Sequence, residues 1–225
     1  ITSAGNPKAW TAHLKEHGVR VMHVVSSVKF GLKAEQAGVD AVIAEGFEAG
    51  GHNGREETTT MCLVPAVADA CEVPVIAAGG LHDGRSVVAA MVLGAEGVQL
   101  GSRFVATPES SAHQAFKEAV LSAEEGSTSL ELKEVTPVRL LDNPFAQRVV
   151  AAQKAGASQD ELRALLGRGR AKRGMFEGDM TEGELEIGQV SSMLRDLEPA
   201  GDIVGRLVKE CMALAGPDWA TRWGL

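Results

Sequence analysis

One pattern constrains the fold of this chain more than any other. Through the first 105 residues, a short β-branched apolar run ends in a Gly-rich or polar turn, and a helical stretch follows. The runs are Val21-Met22-His23-Val24-Val25, Ala41-Val42-Ile43-Ala44, Pro74-Val75-Ile76-Ala77-Ala78 and Gly97-Val98-Gln99-Leu100. They are nearly continuous rather than alternating, which suits parallel strands buried on both faces. Ile1-Thr2-Ser3-Ala4 is a candidate tail of one more. Helical stretches lie between the runs, at Lys8 to His17, Ser27 to Ala37, Met61 to Cys71 and Gly84 to Leu93. Parallel strands need such crossovers, so the array predicts an α/β fold. A closed (β/α)8 barrel takes eight strands in about 250 residues. The five strands at most found here predict either an open sheet or a barrel with strands 4 to 8 in this chain. A barrel lacking three strands would expose strand edges and core, so either the natural polypeptide is expected to extend N-terminal of Ile1 or another chain is expected to supply those strands.

Residues 1–105 are thus expected to form the β/α part, 106–195 a mostly helical insertion or cap, and 196–225 a terminal helix packing back on the barrel, plus a tail with Trp219 and Trp223. Within the cap, 109–126, Asp160 to Leu166 and Ile187 to Leu194 read as helices. Leu130 to Leu140 has weak strand potential, and 167–178 is basic and Gly-rich.

Composition excludes several classes. Lys and Arg number 22 against 30 Asp and Glu, a formal charge of −8 that is poor for nucleic-acid binding. Three Cys without metal-ligand spacing argue against a disulfide framework and a zinc site, and fit a reducing, cytoplasmic compartment. No apolar run approaches the roughly 20 residues of a membrane helix, and no signal peptide is visible.

Three loops could carry chemistry. The densest, Ala44-Glu45-Gly46-Phe47-Glu48-Ala49-Gly50-Gly51-His52-Asn53-Gly54, follows a strand directly. Its glycines let backbone approach a flat ligand, and a His there can reach a substrate and exchange a proton near neutral pH. The competing reading is a flexible turn with an exposed His. Gly79-Gly80 and Gly101-Ser102 each end a strand, and such turns bind phosphate through backbone N–H groups. In β/α barrels, the loops after strands 7 and 8 are the common phosphate site. The competing reading is that these glycines only permit tight turns. Neither a dinucleotide-binding G-x-G-x-x-G nor a P-loop is present. The run Arg168, Arg170, Lys172, Arg173 is either a solvated face or a docking patch. His23, inside an apolar strand, reads as a packed residue.

Together these motifs, with Ala4-Gly5-Asn6-Pro7, Gly97 to Phe104 and Gly188-Gln189, resemble the nitronate monooxygenase family, which includes flavin-dependent enoyl-acyl-carrier-protein reductases. The resemblance implies a TIM barrel binding FMN without a covalent link. It implies that Gly79, Gly80, Gly101 and Ser102 cradle the FMN phosphate and that Glu45, Gly50 and Gly51 line the flavin. Gln99 joins the cofactor set. His52 becomes the active-site histidine, with Asn53 and Gln189 at the substrate pocket. No metal is implied. The favoured activity is oxidation of alkyl nitronates or nitroalkanes with O2 to carbonyl compounds and nitrite. The alternatives are an enoyl reductase, with NAD(P)H as co-substrate and acyl carrier protein as partner, and a non-catalytic flavin-binding fragment. The partners otherwise expected are a small-molecule substrate and O2, with a homodimer left open. The Gly-rich flavin segment of the family's N-terminal strands has no counterpart here.

Overall fold

The computed structural model describes residues 1–3 and 5–216. Trp219 and Trp223 of the expected tail lie outside these residues. The strands are β1 (Met22–Val25), β2 (Ala41–Glu45), β3 (Gly51–His52), β4 (Val75–Ala78), β5 (Gly97–Gln99), β6 (Thr128–Glu131) and β7 (Val138–Leu141). The helices are α1 (Thr11–Glu16), α2 (Val28–Gln36), α3 (Thr60–Ala70), α4 (Gly84–Val92), α5 (Ser102–Val105), α6 (Gln114–Leu121), α7 (Pro144–Lys154), α8 (Gln159–Leu166) and α9 (Ala200–Leu214). The chain divides into two compact units. Of the described residues, one comprises those of 1–47, 56–100 and 201–216; the other comprises 48–55 and 101–200.

The first unit holds a parallel sheet in the order β1-β2-β4-β5. Thr2 extends it with a parallel bridge to His23: Thr2 N–H donates to Met22 O, and Val24 N–H donates to Thr2 O, both at 2.9 Å. These are the sequential parallel positions of a partial β/α barrel. The expected runs form strands because both faces are covered. Val42, Ala44, Val75 and Ala77 share a core with Ala34 of α2 and with Leu63, Val64 and Val67 of α3. Ser27 caps α2, and Asp83 with Ser86 makes a capping box on α4. Within this unit, Glu210 of α9 accepts a 2.7 Å bond from Gly84 N–H at the start of α4. His23 is packed as expected, its Nδ1 2.7 Å from Thr2 Oγ1, and burial lowers its pKa.

The second unit differs from the mostly helical cap expected over 106–195. It contains an antiparallel sheet, β3-β7-β6, and it includes the 48–55 loop, placed by sequence with the β/α part. All four residues of β7 are buried, as suits a central strand. Val138 and Leu140 pack with Leu132, Phe145, Ala146, Val149 and Leu162; Leu141 joins Phe116, Val120, Leu185 and Ile187 in a second core.

The helix expected over 109–126 is only Gln114–Leu121. Thr107 Oγ1 and Ser110 Oγ accept from the backbone N–H groups of Ser110 and Ala112, a local alternative to helical bonding. Glu186 makes an isolated antiparallel bridge to Leu140, and only Gln189–Met193 forms a 3-10 turn in the stretch expected to be helical from Ile187 to Leu194. Among the described residues, no helix is long and apolar enough to cross a membrane.

Candidate functional site

In the first unit, parallel register sets the candidate residues in a row. Glu45 is level with Ala78, and Ala78 with Gln99, at the carboxyl ends of β2, β4 and β5. In open α/β sheets this is the end where ligands bind. Glu45 is half-buried, and burial pushes its carboxyl up to about 7. The turn beyond β4 requires its glycines. Gly79 and Gly80 have φ of +88° and +72°, a region other residues adopt only with strain. A Cβ on Gly79 would also lie 2.8 Å from Gly46 O. Thr60, buried at the start of α3, donates to Gly79 O at 2.9 Å and to Ala78 O at 3.3 Å. Its hydroxyl staples the β4 turn, a role sequence reading missed. Among the described residues, no acceptor faces the N–H groups of Gly79 and Gly80. Two neighbouring unspent amides at a turn are chemically suited to a phosphate.

In the second unit, glycines again mark close backbone approach. Side chains on Gly50 and Gly188 are blocked: a Cβ on Gly50 would collide with the backbone of Ile187 and Gly188, and one on Gly188 would lie 2.9 Å from Glu48 O. Gln189 N–H donates to Glu48 O at 3.0 Å, and Gly188 N–H donates to Ser102 Oγ at 2.9 Å. Gly50, Ser102 and Gln189, far apart in sequence, therefore meet. Gly51 has φ +73°, and its missing Cβ leaves room for Glu186, whose Oε2 lies 2.5 Å from the position a Cβ would take. At Gly101, by contrast, a Cβ would meet nothing within 4 Å, and neither Gly101 nor Ser102 N–H has a protein acceptor among the described residues.

His52 ends β3. Its backbone pairs with Val138, and its side chain is exposed. Asn53, expected at the substrate pocket, holds its own loop together. Its side-chain N–H groups donate to Ala49 O at 2.9 Å and to Gly51 O at 3.0 Å, so the amide braces its own loop. Sequence reading also missed two acids. Glu184 and Glu186 lie two residues apart on the segment that bridges to β7 at Glu186. Burial pushes Glu184 up to about 7, helped by Glu186; burial also raises Glu186, while the charge of His52 lowers it.

The basic run is largely spent internally. Arg170 pairs with Glu182 at 3.3 Å, donates to Leu166 O and lies 4.5 Å from the centre of the Phe145 ring. Lys172 pairs with Glu177 at 3.2 Å, and Arg173 with Asp179 at 2.6 Å. Among the described residues, no group of three or more His, Cys, Asp or Glu could hold a metal ion.

A family model for nitronate monooxygenase matches residues 1–210. The chain belongs to the nitronate monooxygenase family. A probable nitronate monooxygenase of Staphylococcus saprophyticus is 41% identical over 146 residues, 60% of this chain and 41% of the relative. One of Staphylococcus aureus is 41% identical over 123 residues, 51% of this chain and 35% of the relative. The chain thus spans less than half the length of these curated relatives. Among solved structures, FabK from Thermotoga maritima is 38% identical with a TM-score of 0.90, covering 99% of this chain and 70% of that one. A nitroalkane oxidase from Streptomyces ansochromogenes is 30% identical with a TM-score of 0.74, covering 94% and 62%. The first likeness spans nearly all of this chain and the second most of it.

Proposed function

We propose that this chain is the histidine-bearing part of an FMN-dependent nitronate monooxygenase, converting alkyl nitronates or nitroalkanes and O2 to carbonyl compounds and nitrite. The observation that carries the reading is His52, whose backbone is fixed by pairing with β7 while its imidazole stays exposed. The residues fit FMN. In the first unit, the unspent amides of Gly79 and Gly80 suit its phosphate, with Glu45 and Gln99 at the same strand ends. In the second unit, Gly101 and Ser102 carry the same assignment, and Gly50 and Gly51 that of the flavin-lining backbone. FMN, when bound, supplies the electron-accepting centre and the reaction with O2.

The protein's own contribution is binding and proton handling. Protonated His52 can hold the nitronate anion through a charge-assisted hydrogen bond. Neutral His52 can take the α-proton of a nitroalkane, leaving the C–H electron pair in the nitro group. Gln189, exposed on the 3-10 turn, is assigned to the substrate pocket. Asn53 supports the same pocket by bracing the loop that carries His52.

The enoyl-reductase alternative, with NAD(P)H and a carrier protein, is the second reading; we favour it less because three of the four cations of its expected docking patch, Arg170, Lys172 and Arg173, are paired with acids of the same unit. A non-catalytic flavin-binding role predicts no turnover. The test is His52→Ala in the full-length, flavin-loaded protein. It should retain flavin and lose about 10²-fold in turnover of a neutral nitroalkane, with a smaller loss on preformed nitronate. Unchanged turnover of both substrates would remove His52 from the mechanism.

A further inference from the structure

We propose that Thr60 is a positioning residue for the flavin phosphate: its hydroxyl fixes the Gly79–Gly80 peptide so that the amides of the β4 turn face a phosphate together. The inference rests on the reading of Gly79 and Gly80 as phosphate-binding amides. The placement begins at the end of the sheet. Glu45 and Ala78 are the last pair of β2 and β4. Beyond them Gly46 N–H still donates to Ala78 O at 2.9 Å, while Phe47 N–H turns away to Thr58 O. Gly79 O instead accepts from Thr60 Oγ1 at 2.9 Å, and Ala78 O accepts a longer 3.3 Å bond from the same hydroxyl. Both peptide bonds of the turn are trans, and in a planar trans peptide the C=O and N–H point opposite ways. Holding the two carbonyls toward Thr60 therefore turns the Gly79 and Gly80 N–H groups away from it, where neither finds an acceptor among the described residues.

The surrounding chain admits this hydroxyl and holds it in place. Thr60 opens α3 and is buried. Leu63, Val64 and Val67 of that helix share a core with Ala44 of β2 and Ala77 of β4, which seats the start of α3 at the strand ends. The 2.9 Å bond from Phe47 N–H to Thr58 O ties the exit of β2 to the approach to α3. A Cβ on Gly46 would collide with Oγ1, N and Cα of Thr60, and one on Gly79 would lie 3.1 Å from Oγ1. Glycine at both positions leaves the hydroxyl within reach of the turn. The same freedom lets a glycine pair adopt many orientations, and the hydroxyl selects one. Donors already in place spare a ligand the cost of ordering them, so the bond is felt in flavin affinity.

The test is titration of the full-length protein, stripped of flavin, with FMN and with riboflavin, followed by the change in flavin fluorescence. Riboflavin has the same ring system and no phosphate. Thr60→Val keeps the shape of the side chain and removes the donor. It should raise the Kd for FMN about tenfold, the scale of one hydrogen bond to a charged group, and leave the Kd for riboflavin near the parent. Thr60→Ser, which keeps the hydroxyl, should bind both flavins as the parent does. If Thr60→Val does not fold, Thr60→Ala removes the same donor with a smaller side chain and carries the same expectation. Unchanged FMN affinity overturns the proposal, and so does an equal loss for FMN and riboflavin, which would mark a general structural defect. Equal affinity of the parent for the two flavins would instead reject the phosphate assignment on which the proposal rests.

Discussion

The hydroxyl of Ser102 accepts a 2.9 Å hydrogen bond from the amide of Gly188, across 86 residues of chain. It ties the start of α5 to the segment that carries Glu186 and Gln189. Ser102 therefore has a structural task besides its proposed part in holding phosphate, and the two separate experimentally. Ser102→Ala should destabilise the flavin-free protein by about 1 kcal/mol, the usual net worth of such a bond, read as a lower urea midpoint. Unaltered stability would mean that the bond contributes nothing and that only a ligand role remains.

Gly101 and Gly79 give contrasting predictions. A Cβ on Gly101 meets nothing within 4 Å, so Gly101→Val should melt near the parent while losing flavin, because the side chain fills space an anion would need. Gly79→Ala should do both kinds of damage. Its φ of +88° costs an L-residue about 1–2 kcal/mol, and its Cβ would press on Gly46 O. The check is melting temperature together with bound-flavin absorbance. Full flavin occupancy in Gly101→Val would dismiss the phosphate assignment.

Burial raises the carboxyl of Glu184 from an ordinary 4.5 to about 7. Between these values the folded protein holds a proton that the unfolded chain has released, so this group subtracts stability as pH rises through the window, and the full penalty stands above about 7. Glu45 acts in the same direction, and His23, with its lowered pKa, in the opposite one. Comparison with Glu184→Gln isolates the effect. The melting temperature of the variant relative to the parent should climb as pH goes from 4.5 to 7 and then level off. A difference independent of pH would show that Glu184 ionises normally.

Much of the α/β part was legible because its signals are local. Ala41 to Ala44 are all buried, and an unbroken apolar run is what burial on both faces demands. Gly79 and Gly80 were marked by residue type alone, and their positive φ explains why glycine stands there. The second unit was harder. β3 has two residues, too few for any period, and it exists only because β7 offers it an edge. α7 passed unnoticed although Asn143 caps it and Pro144 opens it, a readable start signal. The contacts of Thr60 with the β4 turn and of Glu186 with Gly51 join distant segments, and no local pattern encodes them. The acids paired with the basic run, Glu177, Asp179 and Glu182, follow it within a dozen residues, and an acidic stretch directly after the cations was the signal for a self-paired surface.

Anaerobic flavin reduction in the full-length protein tests the proposed nitronate oxidation most directly. Mixed without O2, ethyl nitronate should bleach the bound flavin rapidly, while NADH and NADPH should leave it oxidised. Rapid bleaching by either nicotinamide, with none by the nitronate, would contradict the account and assign the site to enoyl reduction.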